Sequence, residues 1–153
     1  MSESIQSPLS WVFRESRPPN DNAYFENLTR SIFQAGLSWK MIDTKWPNFK
    51  KAFENFSIDK VAKFDNKDFE RLMNDKSIVR NRQKIEATIF NAQQFQMIQK
   101  EADSFQSYLD GLDKSQNFKL VIKELSKKFH RVGPSTANIF LFSVGENISQ
   151  SDE

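Results

Sequence analysis

Apolar residues recur at spacings of three and four through most of the chain, and the strict alternation of a half-buried strand is missing. An all-α domain follows. Phe25, Leu28, Ile32 and Phe33 form a stripe that Asp21 can cap and Gly36 can end. Ser38 opens a second helix through Trp39, Ile42 and Trp46, and Pro47 should kink it or start a new segment through Phe49, Ala52 and Phe53. Ser57 and Asp65 stand as caps before two short helices over residues 58–64 and 67–73. The longest periodic stretch, residues 80–102, carries Ile85, Ile89, Ala92 and Phe95 on one stripe and is the expected central helix. Gly111 and the polar residues 113–117 read as a loop, after which helical spacing resumes through Leu120, Val121 and Leu125 to Phe129. Pro134 suits the first position of a last helix, with Ala137, Phe140 and Leu141, running to Gly145.

The ends lack such stripes. Residues 1–20 contain three prolines and little periodicity, which predicts an irregular arm, and residues 146–153 are polar apart from Ile148, which predicts a fraying tail. One helical domain over residues 21–145 lies between them, in keeping with a length of 153 residues.

Composition narrows the function. Apolar residues make up 38% of the chain and charged residues 27%, enough apolar material for a core. There is no cysteine and only one histidine, His130, so neither a disulfide nor a cysteine-based zinc site can form, and no metal or cofactor is expected. No apolar run is long enough to span a bilayer and residues 1–10 lack the features of a secretory signal, so a cytosolic protein without a membrane partner is expected. A monomer is expected too. Net charge is only +2, but charge is unevenly placed. Residues 119–131 hold Lys119, Lys123, Lys127, Lys128 and Arg131 against Glu124 alone, and residues 75–100 are also locally basic. A basic face of this kind is either solvated surface or a footprint for nucleic acid.

The second reading gains from residues 119–144, where helix, short glycine hairpin and helix follow one another. Backbone N–H groups at Val132, Gly133, Ser135 and Thr136 could hold a DNA phosphate, with Arg131, Lys127 and Lys128 adding attraction. An ordinary helix-helix connection fits the same spacing. In Gln34-Ala35-Gly36-Leu37-Ser38-Trp39, the pair Gly36 and Leu37 sets an apolar residue on a tight loop with an indole just beyond. Leu37 could wedge between stacked bases and Trp39 could receive an extruded base, or the string could be a packed corner.

Gln34 to Trp39 resembles the QAGLSW signature of the DNA-3-methyladenine glycosylase I family. Lys50-Lys51-Ala52-Phe53, Val61-Ala62, Arg71-Leu72-Met73, Asn91-Ala92, residues 129–136 and the string Ile78-Val79-Arg80-Asn81-Arg82-Gln83-Lys84-Ile85 resemble the same family in order. The similarity covers residues 24–145. It implies an all-helical helix-hairpin-helix glycosylase fold that binds double-stranded DNA, flips an alkylated purine of the 3-methyladenine type or another modified base, and cleaves its N-glycosidic bond. A DNA-binding domain of the same fold without the chemistry is the alternative. The resemblance also places Trp39, Trp11 and Ser31 in the base pocket, Trp11 as the match to the family's N-terminal tryptophan.

The departures are specific. Ser31 stands where the family has a glutamate that contacts the base, the family's two-cysteine, two-histidine zinc site is missing, and a pocket tyrosine segment is deleted between Trp11 and Tyr24. Ser31 offers a neutral hydrogen bond in place of a charge-assisted one, so affinity for a cationic base should fall. Many glycosylases of this fold place an aspartate after the last helix of the hairpin motif. Asp152 is the only aspartate beyond Gly145, making it a catalytic candidate by position alone, although a disordered acidic tail is the favoured reading next to the chain end.

Overall fold

The computed structural model describes residues 10–150, and among them are eight α-helices. They are α1 (Asp21–Gln34), α2 (Trp39–Ala52), α3 (Ile58–Ala62), α4 (Asn66–Met73), α5 (Arg82–Ala102), α6 (Phe105–Asp110), α7 (Ser115–Lys128) and α8 (Pro134–Ser143). No strand occurs among the described residues. Helix α5 is the central element, packed against α1, α3, α4 and α6, while α8 lies against α1 and α7. Its buried stripe of Ile85, Ala92, Phe95 and Ile98 meets Phe25, Phe105 and Phe129 in a core rich in aromatic rings.

Several helix starts follow the sequence directly. Ser38, Ser57, Asp65 and Asn81 each accept a backbone N–H in the first turn of α2, α3, α4 and α5, and Asp65 and Asp68 form a reciprocal capping box. Others differ. Asn20, not Asp21, caps α1, and the Asp21 carboxylate instead accepts from the Phe105 N–H at the start of α6 and from Gln99 Nε2. A one-residue shift in register thus turns a local cap into a long-range tie. Helix α2 continues through Pro47 to Ala52 because Trp46, Phe49 and Ala52 are all buried on one face, and that packing outweighs the lost hydrogen bond. Helix α6 had no periodic signal, being six residues long, yet Phe105 and Leu109 are fully buried.

The described segments on either side of the helices, residues 10–19 and 146–150, are tied to them. Residues 10–19 form no helix, but the Phe13 N–H donates to the Ser143 carbonyl at 2.9 Å and Asn27 Nδ2 donates to the carbonyl oxygens of Trp11 and Ser143. Gly145 sits at φ +86°, and a Cβ there would collide with the Ser16 carbonyl oxygen. Arg17 pairs with Asp110 and Glu146, and Lys114 reaches the same two carboxylates, so four charges bind the arm to α6 and to the segment after α8. Residues 146–150 of the tail lie against the helices. Ile148 is buried, and the Ser149 backbone exchanges hydrogen bonds with the Asn117 side chain, which the left-handed turn at residues 116–118 presents to it. A side chain clamping main chain leaves no trace in hydrophobic periodicity.

Candidate nucleic-acid interface and base pocket

Helix α1 ends at Gln34, and the chain reverses through Gly36 at φ +79°, a conformation that favours glycine. The Leu37 N–H donates to the Gln34 carbonyl at 2.9 Å, closing the turn. Leu37 is left 37% exposed, one of few large apolar side chains so placed among the described residues. Ser38 then caps α2. From α5, the buried Lys84 ammonium donates to the carbonyls of Phe33 at 3.2 Å and Ala35 at 2.9 Å, compensating the negative end of α1. Burial pushes its pKa below the usual lysine value, and the charge of Arg131 adds to the shift. The loop and the hairpin are thereby brought to one side of α5.

The hairpin is held from the same helix. Asn91 Nδ2 donates to the His130 carbonyl at 3.2 Å while Asn91 Oδ1 accepts the His130 N–H at 2.9 Å, and Gln94 Nε2 donates to the Lys128 carbonyl at 2.8 Å. The imidazole of His130 stacks on Phe90 with ring centroids 3.6 Å apart. Arg131 turns the chain at φ +63°, the Val132 side chain is buried, and Pro134 occupies the first turn of α8. No side chain among the described residues caps α8, while Gly133 and Ser135 are exposed and Thr136 is buried. Lys127 is exposed, whereas Lys128 lies with its ammonium over the Tyr108 ring, 5.5 Å from the centroid. An open cleft of about 420 Å³ runs between the start of α5 and the hairpin, walled by Gln83, Glu86, His130 and Arg131.

Beside the loop, Trp11 and Trp39 meet edge to face with centroids 6.3 Å apart, both half-buried. The arm supplies one ring and α2 the other. The Arg30 guanidinium lies 4.9 Å from the centre of the Trp11 ring and pairs with Asp43 at 2.6 Å. Burial lowers its pKa and the hydrogen bond with Asp43 opposes that shift. The Arg30 guanidinium also lies 5.2 Å from the centre of the Trp46 ring, whose indole N–H donates to Glu26. Ser31 is buried and donates its hydroxyl to the Asn27 carbonyl of its own helix at 2.9 Å.

These features describe a helix-hairpin-helix protein in which α5 holds both an apolar loop tip and a hairpin flanked by basic residues, with an aromatic pair beside the loop. The chain belongs to the methyladenine glycosylase family, whose model matches residues 9–138. It is also similar to solved structures of 3-methyladenine DNA glycosylase I. A glutamate-to-glutamine variant of the Staphylococcus aureus enzyme is 26% identical, with 100% of this chain and 92% of that one covered at a TM-score of 0.81. A second structure, of the enzyme from Staphylococcus aureus and its recognition of 3-methyladenine, is 27% identical, with 97% and 88% covered at 0.78. A tyrosine-to-phenylalanine variant in complex with 3-methyladenine is 27% identical over 97% and 89% at 0.79.

The family's zinc does not fit this chain. There is no cysteine, the only histidine is stacked on Phe90, and among the described residues no group of three or more His, Cys, Asp or Glu could hold a metal ion. Among the described residues no helix is long and apolar enough to cross a membrane. Asp152 lies outside the described residues. Reading the sequence singled out Trp11, Ser31, Leu37, Trp39 and the hairpin, and passed over the side chains that hold them. Lys84 and Asn91 stood inside family-like strings, so their polar character on the buried side of α5 was a usable signal. Arg30 gave none beyond its helix register, and Gln34 stood in the sequence only as the first residue of its family-like string.

Proposed function

We propose that this protein is a DNA glycosylase that excises an alkylated purine of the 3-methyladenine type from double-stranded DNA, acting as a monomer. The observation that carries this reading is the exposed Leu37 on its glycine turn beside the Trp11–Trp39 pair. Gly36 and Leu37 fill the gap left in the duplex, and Trp39 and Trp11 stack on the extruded base. The N–H groups of Val132, Gly133, Ser135 and Thr136 hold a phosphate of the same strand, with Arg131, Lys127 and Lys128 attracting the backbone. A purine methylated on a ring nitrogen is cationic and leaves readily. Water adds at the sugar C1′ as the bond to the ring nitrogen breaks, the bonding pair departs with the base, which leaves neutral, and the proton lost by the added water passes to solvent. The chain's task is then to extrude and orient the base, with Ser31 giving no carboxylate to hold the cation.

Chromatography of bases released from a methylated duplex tests the reading. Release of 3-methyladenine by the wild type is expected, with losses in Leu37→Ala and Trp39→Ala that exceed their losses in nonspecific DNA affinity. No release from any alkylated duplex by the folded protein would overturn it. Ser31→Glu should tighten the hold on a cationic base and lower the stability of the empty protein by burying an unpaired charge.

A further inference from the structure

Trp39, Asp43 and Trp46 stand on α2 at spacings of four and three and so share one face of that helix. Trp39 meets Trp11 of the arm edge to face, while Asp43 and Trp46 both meet Arg30 of α1. Arg30 closes the circuit, because its guanidinium also lies over the Trp11 ring. It belongs to the face of α1 that carries Asn27, Ser31 and Gln34, all of them buried. Arg30 itself is 3% exposed, and its Nε has no hydrogen-bond partner. A buried ion pair of this kind can commonly be exchanged for apolar side chains of similar volume without loss of stability, so filling space does not account for a guanidinium here.

An apolar side chain in that place would lack direction. A cation–π contact holds an indole by its face, and the bond to Asp43 at 2.6 Å holds the flat guanidinium to α2. The main-chain bonds at Trp11 and Phe13 tether the arm, but they act on its backbone and not on the ring. We propose that Arg30 is a positioning residue: anchored on Asp43, it sets the plane of the Trp11 indole against Trp39 and thereby shapes the aromatic pair on which the extruded base stacks. The inference rests on the glycosylase reading above and adds to it a residue that acts through Trp11. With Ser31 offering no carboxylate, stacking carries more of the hold on the base, and a misplaced ring costs correspondingly more.

The test removes the ion pair as a unit, Arg30→Leu with Asp43→Leu, so that no unpaired charge stays buried. This double variant should melt no lower than the wild type and keep its affinity for undamaged duplex. Its kcat/KM for release of 3-methyladenine from a methylated duplex should nevertheless fall roughly tenfold, as loss of one desolvated cation–π contact allows. Trp11→Ala should slow release in the wild-type background and add little in the double variant, since the ring is already out of place. Near-ultraviolet circular dichroism reads the ring directly: Trp11→Phe should alter the spectrum strongly in the wild type and weakly in the double variant. A second neutral pair, Arg30→Met with Asp43→Asn, carries the same expectations should the first not fold. A folded neutral pair that releases the base at the wild-type rate, or in which the Trp11 substitutions act as they do in the wild type, would overturn the role of Arg30 and leave the glycosylase reading standing. No release by the wild type would overturn both.

Discussion

The hairpin side and the pocket side of this molecule handle their buried polar groups in opposite ways. On the hairpin side, Lys84, Asn91 and Gln94 of α5 each bond main-chain groups of the wedge loop or the hairpin. On the pocket side, the α1 face retains the open amide of Gln34 and the unpaired Nε of Arg30. Side chains that grip backbone fix the shape of the loop and the hairpin, as the proposed sequence-independent phosphate contacts require. Groups left unpaired carry a standing cost to the folded state.

The contrast can be broken most severely at the arm. Gly145→Ala places a methyl group against the Ser16 carbonyl in a left-handed conformation, so a loss of about 3 kcal/mol is expected in urea denaturation. Because the arm carries Trp11, base binding should fall further than affinity for undamaged duplex. Equal losses would mean that the two sides are not separable.

Asn91→Ala is the corresponding cut on the hairpin side. It leaves the His130 N–H and carbonyl without their partner, for an expected cost of about 2 kcal/mol. Here nonspecific DNA affinity should drop while binding of free 3-methyladenine persists, as read by fluorescence titration.

A smaller effect should follow from loosening the charged clasp. The hydrogen bond from Arg17, aided by Lys114, holds the Asp110 carboxyl below its usual pKa. A carboxyl depressed in the folded state adds stability that is complete above its unfolded value, about 4, and that is lost as pH falls through the lower folded value. The thermal midpoint should therefore drop on acidification below about pH 4, and part of that drop should disappear in Asp110→Asn. Glu146→Gln, which removes the carboxylate shared by Arg17 and Lys114, should lower stability by about 1 kcal/mol at neutral pH, less in high salt.

The smallest change sharpens the phosphate assignment. Nothing lies within 4 Å of a Cβ built on Gly133, the N-cap of α8, so Gly133→Asp fits without distortion, sets a carboxylate beside the proposed phosphate and can cap the helix. Duplex affinity should fall by about 1 kcal/mol at low salt, with the melting temperature no lower than that of the wild type. Unaltered affinity would remove the hairpin from the DNA interface.

Local patterning was enough for the all-helical class and for many of the boundaries. Ser38, Ser57 and Asp65 cap the helices that follow them, and Pro134 opens α8, because a cap acts within one turn of its own residue. The apolar stripe of α5 and the turn at Gly36 were legible for the same reason. Family-like strings in the sequence brought Trp11, Trp39, Leu37 and the hairpin together as candidates before any geometry.

Tertiary structure decided what distance in sequence concealed. Asp21 ties α1 to α6 across 84 residues, Asn117 catches Ser149 across 32, and Arg17 reaches Asp110 across 93. Helix α2 passes through Pro47 because burial of Trp46 and Phe49 outweighs one missing hydrogen bond, a balance struck only once the neighbours are present. The status of Gln34 is the clearest instance. Its place in QAGLSW is written in the sequence, but whether a buried amide finds a partner depends on every atom packed around it, and that is settled only when the fold closes.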